Sequence, residues 1–255
     1  MDRFRRTLDT LPVELLYEIQ FYALSDSLPH TCRRLYDVFK SAPPTIQAEY
    51  ISGRCLLVRD NSGKNKCVTR ALRYPVCTQD VLEAVLRRSD FPSISGESFE
   101  LPRRIFRPLI HSPPTGGWKE QDEPLPFLQY LFSHPRLPAP DPDSHEGYPL
   151  TRAVHAGFMH LIRFMLDHGA SPRWKGGLAV LVAIRQRNLR LVKVLIERGS
   201  SASRGSAKRR KIMDRIEVNQ NMLRTAIKCN ANDIADYLMR EKGCVPDIQT
   251  LGLMK

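Results

Sequence analysis

Cysteine, histidine and closely spaced glycine are the residues from which this chain would have to build catalytic, metal or phosphate chemistry. Cys32, Cys55, Cys67, Cys77, Cys229 and Cys244 form no C-x-x-C pair, and a chain of 255 residues needs no disulfide frame to complete a core. They read as reduced, mostly buried thiols. Cys77 and Cys229 lack a histidine fixed beside them in sequence, so neither reads as an activated nucleophile. His155 and His160 are five residues apart, which on one helix would put them on different faces, and no H-E-x-x-H accompanies them. Gly116-Gly117 lacks the later glycine and lysine of a phosphate loop and reads as a surface turn. No nucleophile with a base, carboxylate pair or cofactor cradle stands in a recognisable setting. The expectation is a binding protein rather than an enzyme, with no cofactor and no metal.

Charge is the remaining chemical signal. The formal net charge is +12, and the window from Ser171 to Arg215 alone carries thirteen Lys and Arg against Glu197 and Asp214. The basicity is therefore one local patch. It favours an acidic protein target over a surface that coats nucleic acid. Arg185, Arg187, Arg190, Lys193, Lys208, Arg209, Arg210 and Lys211 are its candidate contact residues. Lys208 to Lys211, KRRK, reads both as a solvated loop and as an import signal, so cytoplasm and nucleus are both expected locations. The charged start MDRFRRTLDT interrupts any apolar leader core, and the longest apolar run, Leu178 to Ile184, falls far short of the roughly 20 residues that span a bilayer. No membrane partner is expected.

The elements that hold these residues come from an internal repeat. PLTRAVHAGFMHLIRFMLDHGAS from Pro149, AVLVAIRQRNLRLVKVLIERGSS from Ala179 and MLRTAIKCNANDIADYLMREKGC from Met222 align without gaps. Ala153, Ala183 and Ala226 share one column; eight residues later stand Leu161, Leu191 and Ile234, and twelve and thirteen later Met165 and Leu166, Leu195 and Ile196, Leu238 and Met239. Each copy predicts a helix, a tight turn and a returning helix, with small alanines where paired helices meet. Neither helix buries its stripe alone, so the copies must stack. Leu150, Ala153, Leu161, Ile162, Leu166, Ala183, Leu191, Leu195, Ala226, Ile234 and Leu238 are the expected core. Gly157 and Asn230 suit a left-handed turn; Arg187 does not, so the middle copy is expected to turn differently. The second and third copies are separated by an insert, 202–216, expected to project as a basic finger.

The pattern resembles the ankyrin repeat, most clearly from Gly147, although Thr151, Leu181 and Arg224 stand where that family places a histidine. The resemblance implies an all-α, helical-repeat solenoid with copies at 147–176, 177–219 and 220–247. Degenerate helix pairs are expected at 66–140, one of them TRALRYPVCTQDVLEAVLRR with Ala71, Leu72, Val81, Leu82, Val85 and Leu86 as core, another LPRRIFRPLI with LPFLQYLFSH.

Residues 1–55 read separately. LDTLPVELLYEIQFYAL spaces Leu11, Leu15, Leu16, Ile19 and Ala23 as an amphipathic helix with Pro12 in its first turn. Leu28, Cys32, Leu35, Tyr36 and Phe39 make a second segment before Pro43-Pro44. From Leu8 to Ile51 this arrangement resembles an F-box: a leucine-proline start, Glu-Leu-Leu, an isoleucine and a later Cys-Arg-Arg, without the tryptophan common near that family's end. The resemblance implies docking on the Skp-type adaptor of a cullin-RING ubiquitin ligase, through Leu11, Pro12, Leu15, Leu16, Ile19, Leu28, Cys32 and Leu35. The chain would then be a substrate-recognition subunit. The competing expectations are a plain ankyrin scaffold, whose N-terminal helices only cap the stack, and a basic nuclear protein associated with nucleic acid.

Overall fold

The computed structural model describes residues 7–57, 66–91, 98–111, 113–197 and 214–252. Among these, the chain is all-α apart from two-residue strands, Phe99–Glu100 (β1) and Pro140–Asp141 (β2), which pair in parallel. It divides into two compact units: residues 1–105 with 127–141, and residues 106–126 with 142–255.

In the first unit, helices α1 (Val13–Ala23), α2 (Arg33–Lys40) and α3 (Pro44–Leu57) follow one another. Leu16, Leu35 and Phe39 form the core of this cluster, with Leu11, Tyr17, Leu28, Cys32 and Val38 packed against it. Pro44 does more than stop α2. As the first residue of α3 it has its fixed φ and missing N–H where a helix start tolerates both. Helix α3 then packs on α1 and also on α4 (Lys66–Ala71) and α5 (Gln79–Arg87). The compact unit therefore runs across residue 55, where the sequence suggests a boundary. Arg54 on α3 locks the loop after α1, donating to the Leu24 carbonyl at 2.7 Å and pairing with Asp26, while Tyr50 donates to Asp26 Oδ1 at 2.8 Å. Ala71, Leu72, Val81, Leu82, Val85 and Leu86 are all buried. The turn between α4 and α5 is stapled by Arg104, whose guanidinium donates to the carbonyls of Leu72, Pro75 and Cys77. The LPRRIFRPLI segment forms a 3-10 helix, Arg103–Ile110, and LPFLQYLFSH lies largely in α6 (Leu125–Ser133).

The second unit contains three helix pairs: α7 (Ser144–Ala156) with α8 (Met159–Asp167), α9 (Trp174–Arg185) with α10 (Leu189–Ile196), and α11 (Gln220–Lys228) with α12 (Asn232–Asp236). The last continues as a π-helical turn, Tyr237–Glu241, before α13 (Ile248–Gly252). Helix α9 packs on both α7 and α11. Ala153, Ala183 and Ala226 are fully buried, as are Leu161, Leu195, Ile234 and Leu238, with Leu150, Ile162, Leu166 and Leu191 also in the core.

The backbone repeats as closely as the side chains do. The carbonyls of Ala153, Ala183 and Ala226 accept from the N–H of Phe158, Asn188 and Ala231 at 3.1, 3.2 and 2.9 Å. Those of Val154, Ile184 and Ile227 accept from Gly157, Arg187 and Asn230 at 3.0, 2.9 and 2.9 Å. This satisfies helix-end carbonyls by a left-handed reversal. Here the sequence expectation for Arg187 is overturned: its φ is 53°, beside 70° at Gly157 and 52° at Asn230. The arginine takes the strained conformation because the paired helices on either side require the same turn in every copy. His155 and His160 also lie on two helices, α7 and α8, rather than on two faces of one.

A second device recurs thirty residues apart. His145, Glu146 and Gly147, and again Lys175, Gly176 and Gly177, are three successive left-handed residues at the entry of α7 and of α9. A Cβ on Gly147 would come within 2.9 Å of Trp174, and one on Gly177 within 2.3 Å of Met222 and 2.9 Å of Ile216. These glycines let successive pairs close on one another.

Candidate functional site

Two surfaces gather the residues singled out in the sequence, one on each unit. On the first unit, α1 divides the expected docking residues by face. Leu16 and Leu35 are only 1% and 2% exposed and belong to the cluster's own core, so they are corrected from contact residues to supports. Leu28 and Cys32 are half-buried against that core. Leu11, Leu15 and Ile19 instead line a shallow apolar groove with Glu18, Tyr22 and Ala23. Leu15 is 44% and Tyr22 81% exposed, and Pro12 is exposed at the helix entry. The cause is the helical period: Leu15, Ile19 and Tyr22 fall on one side of α1, with Leu11 just before its start, and Leu16 and Gln20 on the other. Tyr22 had no place in the sequence argument, although its position three residues after Ile19 is the signal that adds it to the row.

On the second unit, the basic patch is sorted in the same way. Arg185, Arg187 and Arg190 are exposed around the turn between α9 and α10, and no ion pair engages them among the described residues. Lys193 is different. It pairs with Glu241 at 3.1 Å and lies 4.7 Å from the centroid of the Tyr237 ring, so it is structural rather than a free contact. Lys208, Arg209, Arg210 and Lys211 lie outside the described residues. The far end of the expected insert is packed: Ile216 is buried, and Arg215 donates its N–H to Ile196 O at 2.7 Å and its guanidinium to Leu166 O at 3.3 Å. Lys242 closes the same region, meeting Asp214 at 3.0 Å and Glu197 at 3.4 Å, and Tyr237 donates to Glu197 at 2.9 Å. Burial and the Glu197 hydrogen bond push the Tyr237 phenol well above its ordinary range.

Cys55 and Cys77 are buried, whereas Cys32, Cys67, Cys229 and Cys244 are only half-buried, fewer buried thiols than the sequence suggests. Burial pushes Cys55 and Cys77 each up to about 12, the reverse of the lowered value a nucleophilic thiolate needs. One charged cluster stands apart from both surfaces. The Glu83 carboxylate accepts from Tyr130 Oη at 2.9 Å and lies 3.2 Å from His134 Nε2. The Tyr130 hydrogen bond, aided by His134, holds Glu83 below the usual carboxylate value. It links α5 to α6 within the first unit.

No protein-family model, curated protein or solved structure matches the chain.

Proposed function

We propose that this protein is a non-catalytic recognition subunit. Its C-terminal helix pairs act as an ankyrin-type repeat solenoid that holds a protein target, and its N-terminal helices act as an F-box-like element that docks on a Skp-type adaptor of a cullin-RING ubiquitin ligase. The observation that carries this reading is the apolar row Leu11, Leu15, Ile19 and Tyr22 at the surface of α1, opposite the buried Leu16. Exposed apolar side chains in a row on one helix suit the groove or helix face of a partner. Ubiquitin transfer then follows from proximity, the receptor holding a target lysine near a charged conjugating enzyme at high effective concentration.

The packing of α3 on both α1 and α5 favours a second reading, in which the N-terminal helices cap a scaffold that has no ligase partner. One substitution separates the two. Leu15→Asp places a charge on the exposed row without entering the core, so the chain should keep its melting temperature. Affinity capture of the full-length variant should lose the adaptor if α1 docks. Unchanged adaptor recovery, or no adaptor with the unsubstituted protein either, would favour the cap.

A further inference from the structure

We infer that the turn tips of the three helix pairs form a row of basic side chains, cationic at the middle and last tips, that binds a short, extended acidic peptide segment with acidic side chains three residues apart. This rests on the repeat half of the proposed function and is independent of the adaptor half.

The row is set by equivalence of position. Two residues after each buried alanine stand His155, Arg185 and Lys228, all exposed at the ends of α7, α9 and α11. The tips are in register: Gln186 donates to the His155 carbonyl at 2.9 Å, so the end of α9 abuts the end of α7. Adjacent packed helices lie ~8–10 Å apart. An extended chain of polyproline-II type has three residues per turn and advances ~3.1 Å per residue, so every third side chain lies on one face and meets successive tips. Arg187 and Arg190 deepen the positive charge at the middle tip.

Arg187 is the strongest reason to read this row as a site. Its left-handed backbone, φ 53°, occurs where the neighbouring copies carry Gly157 and Asn230, residues that adopt it at little cost. A long side chain there costs stability and supplies a charge at the tip. Strain of this kind is retained where the side chain is used.

The row is also bounded. Beside its first tip, Glu120 holds His160 at 3.0 Å, and at the last tip Asp233 occupies the position that Arg190 has in the middle copy. A long polyanion would run onto those carboxylates, whereas a short acidic segment fits between them. This favours a peptide over nucleic acid.

The test uses the full chain and a labelled decapeptide with three glutamates spaced three apart, read by fluorescence anisotropy. An isomer with the glutamates contiguous and a single-stranded oligonucleotide serve as competitors. The spaced peptide should bind about tenfold more tightly than its isomer, and Arg185→Glu should abolish that preference. Arg187→Gly should raise the melting temperature while weakening the peptide, an opposition that a merely structural arginine would not produce. Equal affinity for the two peptides, undiminished binding by Arg187→Gly, or preferential and steeply salt-dependent binding of the oligonucleotide would each overturn the inference. Adaptor capture by the Arg185→Glu variant should be normal, so loss of the peptide site and loss of the docking site are read separately.

Discussion

Individual side chains in this protein are mostly either fully committed to packing or fully exposed, and their substitution should follow that division. Leu195 is buried at the position shared between neighbouring helix pairs. Leu195→Ala removes its contacts and leaves a cavity, so chemical denaturation should report a loss of about 2–5 kcal/mol. Glu83 makes a pH-dependent contribution. Because its folded-state value is depressed, it stabilises above the ordinary glutamate range, and that stabilisation is lost as pH falls through the depressed folded value. Tyr130→Phe removes the first cause of the depression, so acid unfolding followed by far-ultraviolet circular dichroism, which reports the helices of both units, should begin at a higher pH in that variant. An unshifted acid transition would assign the depression to another group. The residue scale also holds what the sequence hid. Lys242 meets Glu197 and Asp214 across 45 and 28 positions of sequence, with no periodicity to announce it. His155 and Lys228 stand two positions after aligned alanines, a regularity that did not by itself mark them as contacts.

At the scale of elements, legibility followed repetition. Helices α7 to α12 were readable because one core pattern occurs three times, and three coincident patterns exclude most accidental periodicities. Helix α3 occurs once, and Pro43-Pro44 reads as a stop until Pro44 is recognised as the first residue of a helix. The α1 period marked an amphipathic helix but not which of Leu15 and Leu16 faces inward, since adjacent leucines differ by only about 100° around the axis. That choice depends on Leu35 and Phe39, distant in sequence. The glycine turns entering α9 make a sharper prediction. Gly176 and Gly177 both have positive φ, but a Cβ on Gly176 meets open space while one on Gly177 meets Met222 and Ile216. Gly176→Ala should cost about 1 kcal/mol for the backbone alone. Gly177→Ala should cost roughly 1–3 kcal/mol more from overpacking. Thermal melts of the two variants compare these directly, and equal losses would mean that Met222 and Ile216 give way.

For the whole molecule, each unit leaves a different kind of surface once its own core has closed. The first unit leaves an apolar row on α1, and the second leaves charge at its turn tips. Both have the character of contact surfaces, one apolar and one charged. The two patterns occupy different stretches of the sequence, but neither pattern sorts its buried residues from its exposed ones. Hydrogen exchange of the purified full chain, with and without a purified Skp-type adaptor, is the most direct test of the proposed docking. The adaptor should slow exchange across 13–23 and leave the helix pairs at 144–236 unchanged. Binding without protection of 13–23, or no binding at all, would contradict the assignment of α1 as the docking helix.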